Sequence, residues 1–404
     1  MFYSLKDNIQ KYKIIKGILD KKPITGPYSV HLDLTNHCNN DCISCWSFSP
    51  LVGFKTMDKK TRKKEIPFKK AIVLINELAE MKVREIYFTG GGEPFMHPNA
   101  IEIMEYVKKK GIRCDMSTNF TLINEEKAKR IIKAKIDHMN CSIWAGSPPA
   151  YQRTHPNKTA KAFHKIEYMF KYFHKLKKKF KTNKPKITIY NVISNKNYDN
   201  FEKMIEFAFK VKADAINFTP TDIVPRLTDS LMLNHTQREG FIGKAENILD
   251  KVNIWQKQYN HKIEFQEYEQ FLRRIGSHET EMGIYDRSII GKIPCYAGFN
   301  FLRILANGEV NSCLKSGRIP IGNIYNKSIK EIWVSEKQNI FRKNTIDYDI
   351  NNPFFTNIGN TTQRGNGCLY CCDNLGWNLI FHREIIKLNP LKKLIVKTSK
   401  FLEF

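Results

Sequence analysis

Three cysteines, Cys38, Cys42 and Cys45, stand at C-x₃-C-x₂-C spacing in Leu34-Thr-Asn-His-Cys-Asn-Asn-Asp-Cys-Ile-Ser-Cys-Trp46. Zinc sites usually pair their cysteines in two knuckles and use four ligands. Three neighbouring thiolates suit a cubane iron–sulfur cluster in which one iron keeps no protein ligand. An open metal position is what metal-assisted chemistry needs. A second feature is Phe88-Thr-Gly-Gly-Gly-Glu-Pro94. Consecutive glycines let the backbone approach a ligand closely, and Glu93 adds a carboxylate. A third set places Cys295, Gly308 and Cys313 at C-x₁₂-G-x₄-C, followed by Gly367-Cys-Leu-Tyr-Cys-Cys372. Four of these thiols would hold a further cubane or a zinc ion, leaving Cys371 or Cys372 spare.

Short β-type runs must position these groups. Residues 30–35, 85–89, 113–117, 138–144, 187–193 and 215–219 read as strands. They alternate with helical stretches at 68–81, 100–110, 125–135, 160–180 and 200–211. Such β–α repeats predict a parallel sheet curled into a partial barrel. In barrels of this kind the loops after the strands carry the chemistry. The cysteine motif, the glycine run and Ser117-Thr-Asn119 all fall at such strand ends.

The expected units are a basic helix in 1–25, the barrel in 26–225, a polar helical connector in 226–290, a small α+β domain in 291–385 and a basic amphipathic helix in 386–404. The first helix carries apolar residues at Leu5, Ile9, Tyr12, Ile15 and Leu19. The small domain contains a hairpin turning at Asn307-Gly308. Asn389-Pro390 marks the start of the last helix. That helix sets Leu391, Leu394, Ile395 and Leu402 to one side, with Lys392, Lys393, Lys397 and Lys400 largely elsewhere.

The cysteine triad after a first strand, with Gly91-Gly92-Glu93 one β–α unit later, resembles the radical S-adenosylmethionine (radical SAM) superfamily. The C-terminal spacing, with Gly322-Asn-Ile-Tyr325 through Trp333 and Phe341-Arg342, resembles that superfamily's SPASM/twitch extension. The resemblance covers roughly 28–385. It implies an α/β fold: a partial (β/α)6 TIM-like barrel followed by a small α+β SPASM/twitch domain. It also implies that Cys38, Cys42 and Cys45 hold a catalytic [4Fe–4S] cluster whose open iron chelates S-adenosylmethionine. Gly91, Gly92 and Glu93 would meet the methionyl amine. Ser117, Asn119, Ser142, Asn191 and Arg153 are further candidates for cofactor contact, and Arg153 reads equally as a surface arginine. Cys295, Cys313, Cys368 and Cys371 would hold an auxiliary [4Fe–4S] cluster, with zinc as the alternative there. A full SPASM domain has seven cysteines; five imply the shorter, one-cluster twitch form. One departure is Ser44, where the family usually has an aromatic before the third cysteine; Trp46 is expected to shield the adenine instead. Cys114 and Cys141, inside β runs, are expected to be buried and inert.

The implied reaction is oxidoreductive. An electron from a flavodoxin- or ferredoxin-type reductant cleaves the sulfonium, the 5′-deoxyadenosyl radical abstracts hydrogen, and the auxiliary cluster accepts an electron. The net charge of +26 across 404 residues favours anionic partners. The expected substrate is therefore a carbohydrate, phosphorylated or lipid-linked. The alternatives are a ribosomally made peptide or RNA, although nucleic acid is not the expected partner. Against the peptide stands the lack of an added N-terminal domain of leader-binding size. No secretory h-region or spanning apolar run is visible, so the cytoplasm is the expected location. The basic terminal helix fits either an anionic membrane surface or the protein's own body.

Overall fold

The computed structural model describes residues 4–349, 351–359, 367–370 and 372–398. Its strands are β1 (Ser29–Asp33), β2 (Glu85–Thr89), β3 (Arg113–Thr118), β4 (His138–Ser142), β5 (Lys186–Ile193), β6 (Ala215–Pro220), β7 (Glu264–Gln266), β8 (Phe301–Ile304), β9 (Glu309–Asn311) and β10 (Gly322–Asn323). They form one sheet in the order β10-β9-β8-β1-β2-β3-β4-β5-β6-β7. Neighbours from β1 to β7 are parallel, β8 is parallel to β1, and β9 and β10 are antiparallel.

Alternation along the strands makes a partial barrel with two unlike faces. Val30, Leu32, Ile86, Phe88, Met116 and Met139 point outward into one core with Leu74, Ile75 and Leu78 of helix Phe68–Glu80. Cys114 and Cys141 share that apolar face, and burial pushes both thiols far up, as inert core groups require. The opposite face, with His31, Asp33, Tyr87, Asp115 and Asn140, lines an interior cavity of about 1170 Å³.

The six anticipated strands are present within two residues at each end, and the sheet recruits more. The stretch read as a connector supplies β7, and its helices His235–Glu246 and Tyr268–Gly276 place Phe241, Phe271 and Ile275 in the barrel core. On the other edge, β8 buries Leu302 and Ile304 by pairing with Val30 and Leu32. These short strands pair with partners distant in sequence, which hides them from local pattern.

The first helix spans Leu5–Leu19, capped by Ser4 accepting from the Asp7 N–H. Its expected apolar stripe needs correction. Ile14, Ile15 and Ile18 are buried against Phe299, Phe381 and Val396, whereas Leu5 is 77% exposed. The first half meets the body through polar groups instead: Asp7 accepts from Arg84 Nε at 2.9 Å, and Gln10 Nε2 donates to Gly26 O at 3.0 Å. In helix Pro390–Thr398, Val396 packs into the same cluster while Leu391 and Leu394 face outward. The side chains of Ile395 and Lys397, and residues Lys400 and Leu402, lie outside the described residues. No described helix is long and apolar enough to cross a membrane.

Candidate active site

The loop after β1 is laced to its surroundings by backbone bonds: Ile66 N–H to Leu34 O, and Ile43 N–H to Thr154 O, each 2.9 Å. It presents Cys38, Cys42 and Cys45 to the cavity. Cys38 Sγ accepts from the Asn40 N–H at 3.5 Å; Cys45 Sγ accepts from the N–H groups of Ser47 and Phe48 at 3.4 and 3.3 Å. Amide donors of this kind stabilise thiolate sulfur. Burial nonetheless pushes Cys38 up to about 12, and it pushes Cys42 and Cys45 up as well. Grouped buried thiols ionise together only beside strong positive charge, which bound metal supplies. The donor set therefore fits an iron–sulfur cluster.

The glycine run packs directly on this loop. A methyl at Gly91 would collide with Asn36 Oδ1, and one at Gly92 with the carbonyl of His37. Glu93 N–H closes the contact by donating to His37 O at 2.8 Å. Glu93 itself is 2% exposed. Its Oε1 accepts from the Thr118 hydroxyl and its Oε2 from the Asn119 N–H, both at 2.7 Å. Burial outweighs these bonds and pushes the carboxyl up to about 7. Glu93 thus pins the glycine loop to the end of β3 at the wall of the cavity.

The remaining candidates divide. Ser117, paired with the Tyr87 hydroxyl at 2.8 Å, Asn119 and Ser142 line the cavity. Two do not. Asn191 shares the outward face of β5 with Ile187, Ile189 and Ile193, whereas Tyr190 and Val192 point inward, so pleat parity removes it from the site. Arg153 is bound on the surface to Asp199 at 2.8 Å and to Lys196 O at 2.9 Å. It ties two segments together away from the cavity. Trp46 lines the cavity but donates Nε1–H to Asp222 O at 3.0 Å, with Lys315 Nζ 5.4 Å from its ring centroid.

Those last contacts reveal residues that motif reading missed. Lys315 and Asp222 form a buried pair at 2.6 Å, and burial pushes Asp222 up to about 6. Asp222 sits just past β6, a strand-end position of the kind that flagged Ser117. Lys315 carried no such signal.

A second thiol group closes the far side. Cys295 Sγ accepts from Asn378 Nδ2–H at 3.4 Å, and Cys313 Sγ from the Lys315 N–H at 3.3 Å. Cys295, Cys313 and Cys368 pack on Ala297, Phe341 and Phe355. Burial raises Cys372 far above its ordinary value, and Cys368 and Cys295 lie near enough to raise it further. Cys295, Cys313 and Cys368 therefore share one packed cluster, and Cys372 lies within electrostatic reach of Cys368 and Cys295. Cys371, the expected member, lies outside the described residues.

The sequence matches the model of the radical SAM superfamily over 32–208 and that of the iron–sulfur cluster-binding SPASM domain over 295–354. The chain belongs to the radical SAM superfamily and carries a C-terminal SPASM domain. It is an iron–sulfur enzyme that binds S-adenosylmethionine at a [4Fe–4S] cluster and has auxiliary iron–sulfur binding in addition. The tungsten-containing aldehyde ferredoxin oxidoreductase cofactor-modifying protein of Pyrococcus furiosus is 24% identical over 79% of this chain and 84% of its own. The PqqA peptide cyclase of Gluconobacter oxydans is 21% identical over 78% and 79%. Among solved structures, Streptococcus suis SuiB bound to precursor peptide SuiA gives a TM-score of 0.60 at 14% identity, covering 88% of this chain and 75% of that one. Native anSMEcpe with AdoMet and the Cp18Cys peptide gives 0.54 at 15%, covering 92% and 99%.

Proposed function

We propose that this enzyme modifies a ribosomally made peptide by hydrogen abstraction in the barrel cavity. The observation that carries this reading is one cavity of about 1170 Å³ reaching from the Cys38 loop to Cys372 and Lys315. A substrate held there touches both cysteine sets. The similarity to a peptide cyclase over 78% of this chain favours a peptide over the carbohydrate suggested by charge. A second reading, modification of a cofactor, is favoured by the similarity to the Pyrococcus protein.

In this reading Cys38, Cys42 and Cys45 hold the first cluster, and Cys295, Cys313 and Cys368 belong to the auxiliary one. When bound there, the first cluster with S-adenosylmethionine would supply the hydrogen-abstracting chemistry, and an auxiliary cluster would supply an electron-accepting group. Gly91, Gly92, Glu93 and Asn119 form the wall that meets the methionyl end of the cofactor. Ser117 and Ser142 offer hydroxyls from the C-terminal ends of β3 and β4. Asp222, partnered by Lys315, can receive a substrate proton at its carboxylate. A flavodoxin- or ferredoxin-type protein is the proposed reductant, and the cytoplasm the proposed location. The outward Leu391 and Leu394 beside Lys392 support contact with an anionic membrane surface. The test is anaerobic incubation of reduced enzyme and S-adenosylmethionine with peptides encoded beside its gene. The proposal expects 5′-deoxyadenosine together with peptide that has lost hydrogen. Cofactor release with every such peptide unchanged would turn the assignment toward a cofactor substrate.

A further inference from the structure

The cavity side of the cysteine loop is where S-adenosylmethionine and substrate belong, so an electron must enter from the loop's other side. Cys38, Asn40 and Cys42 line the cavity, whereas Asn39 and Asp41 do not. These two lie on the outer side and are held there. Asn39 Oδ1 accepts from Asn119 Nδ2–H, and its own Nδ2–H donates to Thr121 Oγ1, each at 2.8 Å. Asp41 Oδ1 accepts from the N–H of exposed Asn157 at 2.9 Å. Three lysines converge on the same spot. Lys158 Nζ donates to the Asn39 carbonyl, and its charge reaches the Cys38 thiol, favouring the thiolate. Lys165 Nζ donates to Thr121 O at 2.8 Å, and Lys127 Nζ to Leu122 O at 3.1 Å. Lys161, one turn before Lys165 on helix Ala160–Lys179, is exposed on the same face. Between residues 154 and 166 the chain carries no acid, and nearby Glu125 is bonded to the Tyr168 hydroxyl.

We propose that Lys127, Lys158, Lys161 and Lys165 form the docking surface of an acidic one-electron carrier protein, which reduces the first cluster across Asn39. The inference rests on the proposed flavodoxin- or ferredoxin-type reductant and not on the identity of the substrate. Electron transfer slows steeply with distance, and here a single pass of loop separates a docked partner from Cys38. Lysines tethered to backbone carbonyls keep a fixed layout, and each ammonium retains donors for a partner's carboxylates. Opposite charge across such a surface speeds encounter and fixes orientation more than it adds affinity. With a flavodoxin, the anionic flavin hydroquinone becomes the neutral semiquinone. Its one electron goes to the oxidised cluster, and no bond forms or breaks.

The test uses anaerobically reconstituted full-length protein, with a bacterial flavodoxin as the probe. Association of oxidised flavodoxin with immobilised holoenzyme is followed by biolayer interferometry. Formation of 5′-deoxyadenosine is followed in parallel, with flavodoxin hydroquinone or dithionite as the reductant. Lys161→Glu/Lys165→Glu should keep its iron and its dithionite-driven rate, yet associate about tenfold more slowly. Its flavodoxin-driven rate should fall alongside, and the gap from native protein should close as salt rises. Lys161→Gln/Lys165→Gln should show a smaller loss in the same direction. Lys178→Glu/Lys179→Glu makes the same change in net charge at the other end of that helix, and should associate as native protein does. Equal slowing of both reversals would assign the effect to overall charge, and no slowing in either would remove the patch; both overturn the proposal. A matching loss of the dithionite-driven rate would make these lysines supports of the cysteine loop, which also overturns it. Native protein that works with dithionite but never binds flavodoxin would contradict the reductant reading beneath it.

Discussion

Arg303 grips Asp33 across the seam between the barrel and its C-terminal hairpin, with Nη2 2.8 Å from Oδ2 and Nε 3.4 Å from Oδ1. The same guanidinium donates to the carbonyl of Leu314, next to Cys313, at 3.1 Å. Asp33 in turn underlies Gly90, whose added Cβ would come within 2.5 Å of its carboxyl carbon. One ion pair therefore touches both the glycine loop and the segment that carries Cys313. Removing one partner of a buried pair typically costs about 3–5 kcal/mol, because the other charge is stranded. Asp33→Asn and Arg303→Met should each lower anaerobic chemical-denaturation stability by that order. An unchanged midpoint would show that the seam is held by packing alone.

The glycine loop makes a sharper prediction. Gly91→Ala and Gly92→Ala both force the cysteine loop to move, and Gly92 meets backbone, which cannot rotate away. Both variants should reconstitute the first cluster poorly, Gly92→Ala the worse, by iron content and visible absorbance. Gly240→Ala, in a helix with open space around it, should retain full iron and gain up to about 1 kcal/mol.

Arg153 separates the surface reading from the cofactor reading. Its side chain and that of Asp199 are 44% and 56% exposed, so Arg153→Ala should cost less than about 1 kcal/mol. S-adenosylmethionine affinity, measured by equilibrium binding to the reconstituted enzyme, should be unchanged. A tenfold loss of affinity would return Arg153 to the site.

The barrel floor gives a pH dependence. Burial first, then the Asp115 carboxylate, pushes Glu85 up from 4.5 to about 7, against the Ser29 hydroxyl and Arg113. The folded value exceeds the unfolded one, so the fold disfavours the ionised form. This penalty is absent below the unfolded value, grows as pH rises through that interval and is constant above about 7. Glu85→Gln should remove that part of the slope and show its largest relative stabilisation above neutrality. Parallel stability–pH curves for variant and native protein would contradict it.

Residues that are adjacent in the chain and distinctive in type were legible from sequence. The cysteine triad, the glycine run and the six β–α units belong to this class, because pattern and spacing are local. Asn191 was misplaced because strand-end position was read without pleat parity: one residue of offset turns a side chain from the cavity to the core. Arg153 was ambiguous because no local pattern tells a surface pair from a ligand. Asp33 and Arg303 are 270 residues apart, and the three-residue strand β7 has no periodicity to read.

The most direct measurement is formation of 5′-deoxyadenosine from S-adenosylmethionine by the anaerobically reconstituted, chemically reduced full-length protein. Native enzyme should produce it, and Cys38→Ala/Cys42→Ala/Cys45→Ala, keeping only the auxiliary iron, should not. Native protein with its full complement of iron that leaves the cofactor intact, or a triple variant that still cleaves it, would contradict the assignment of these three thiols.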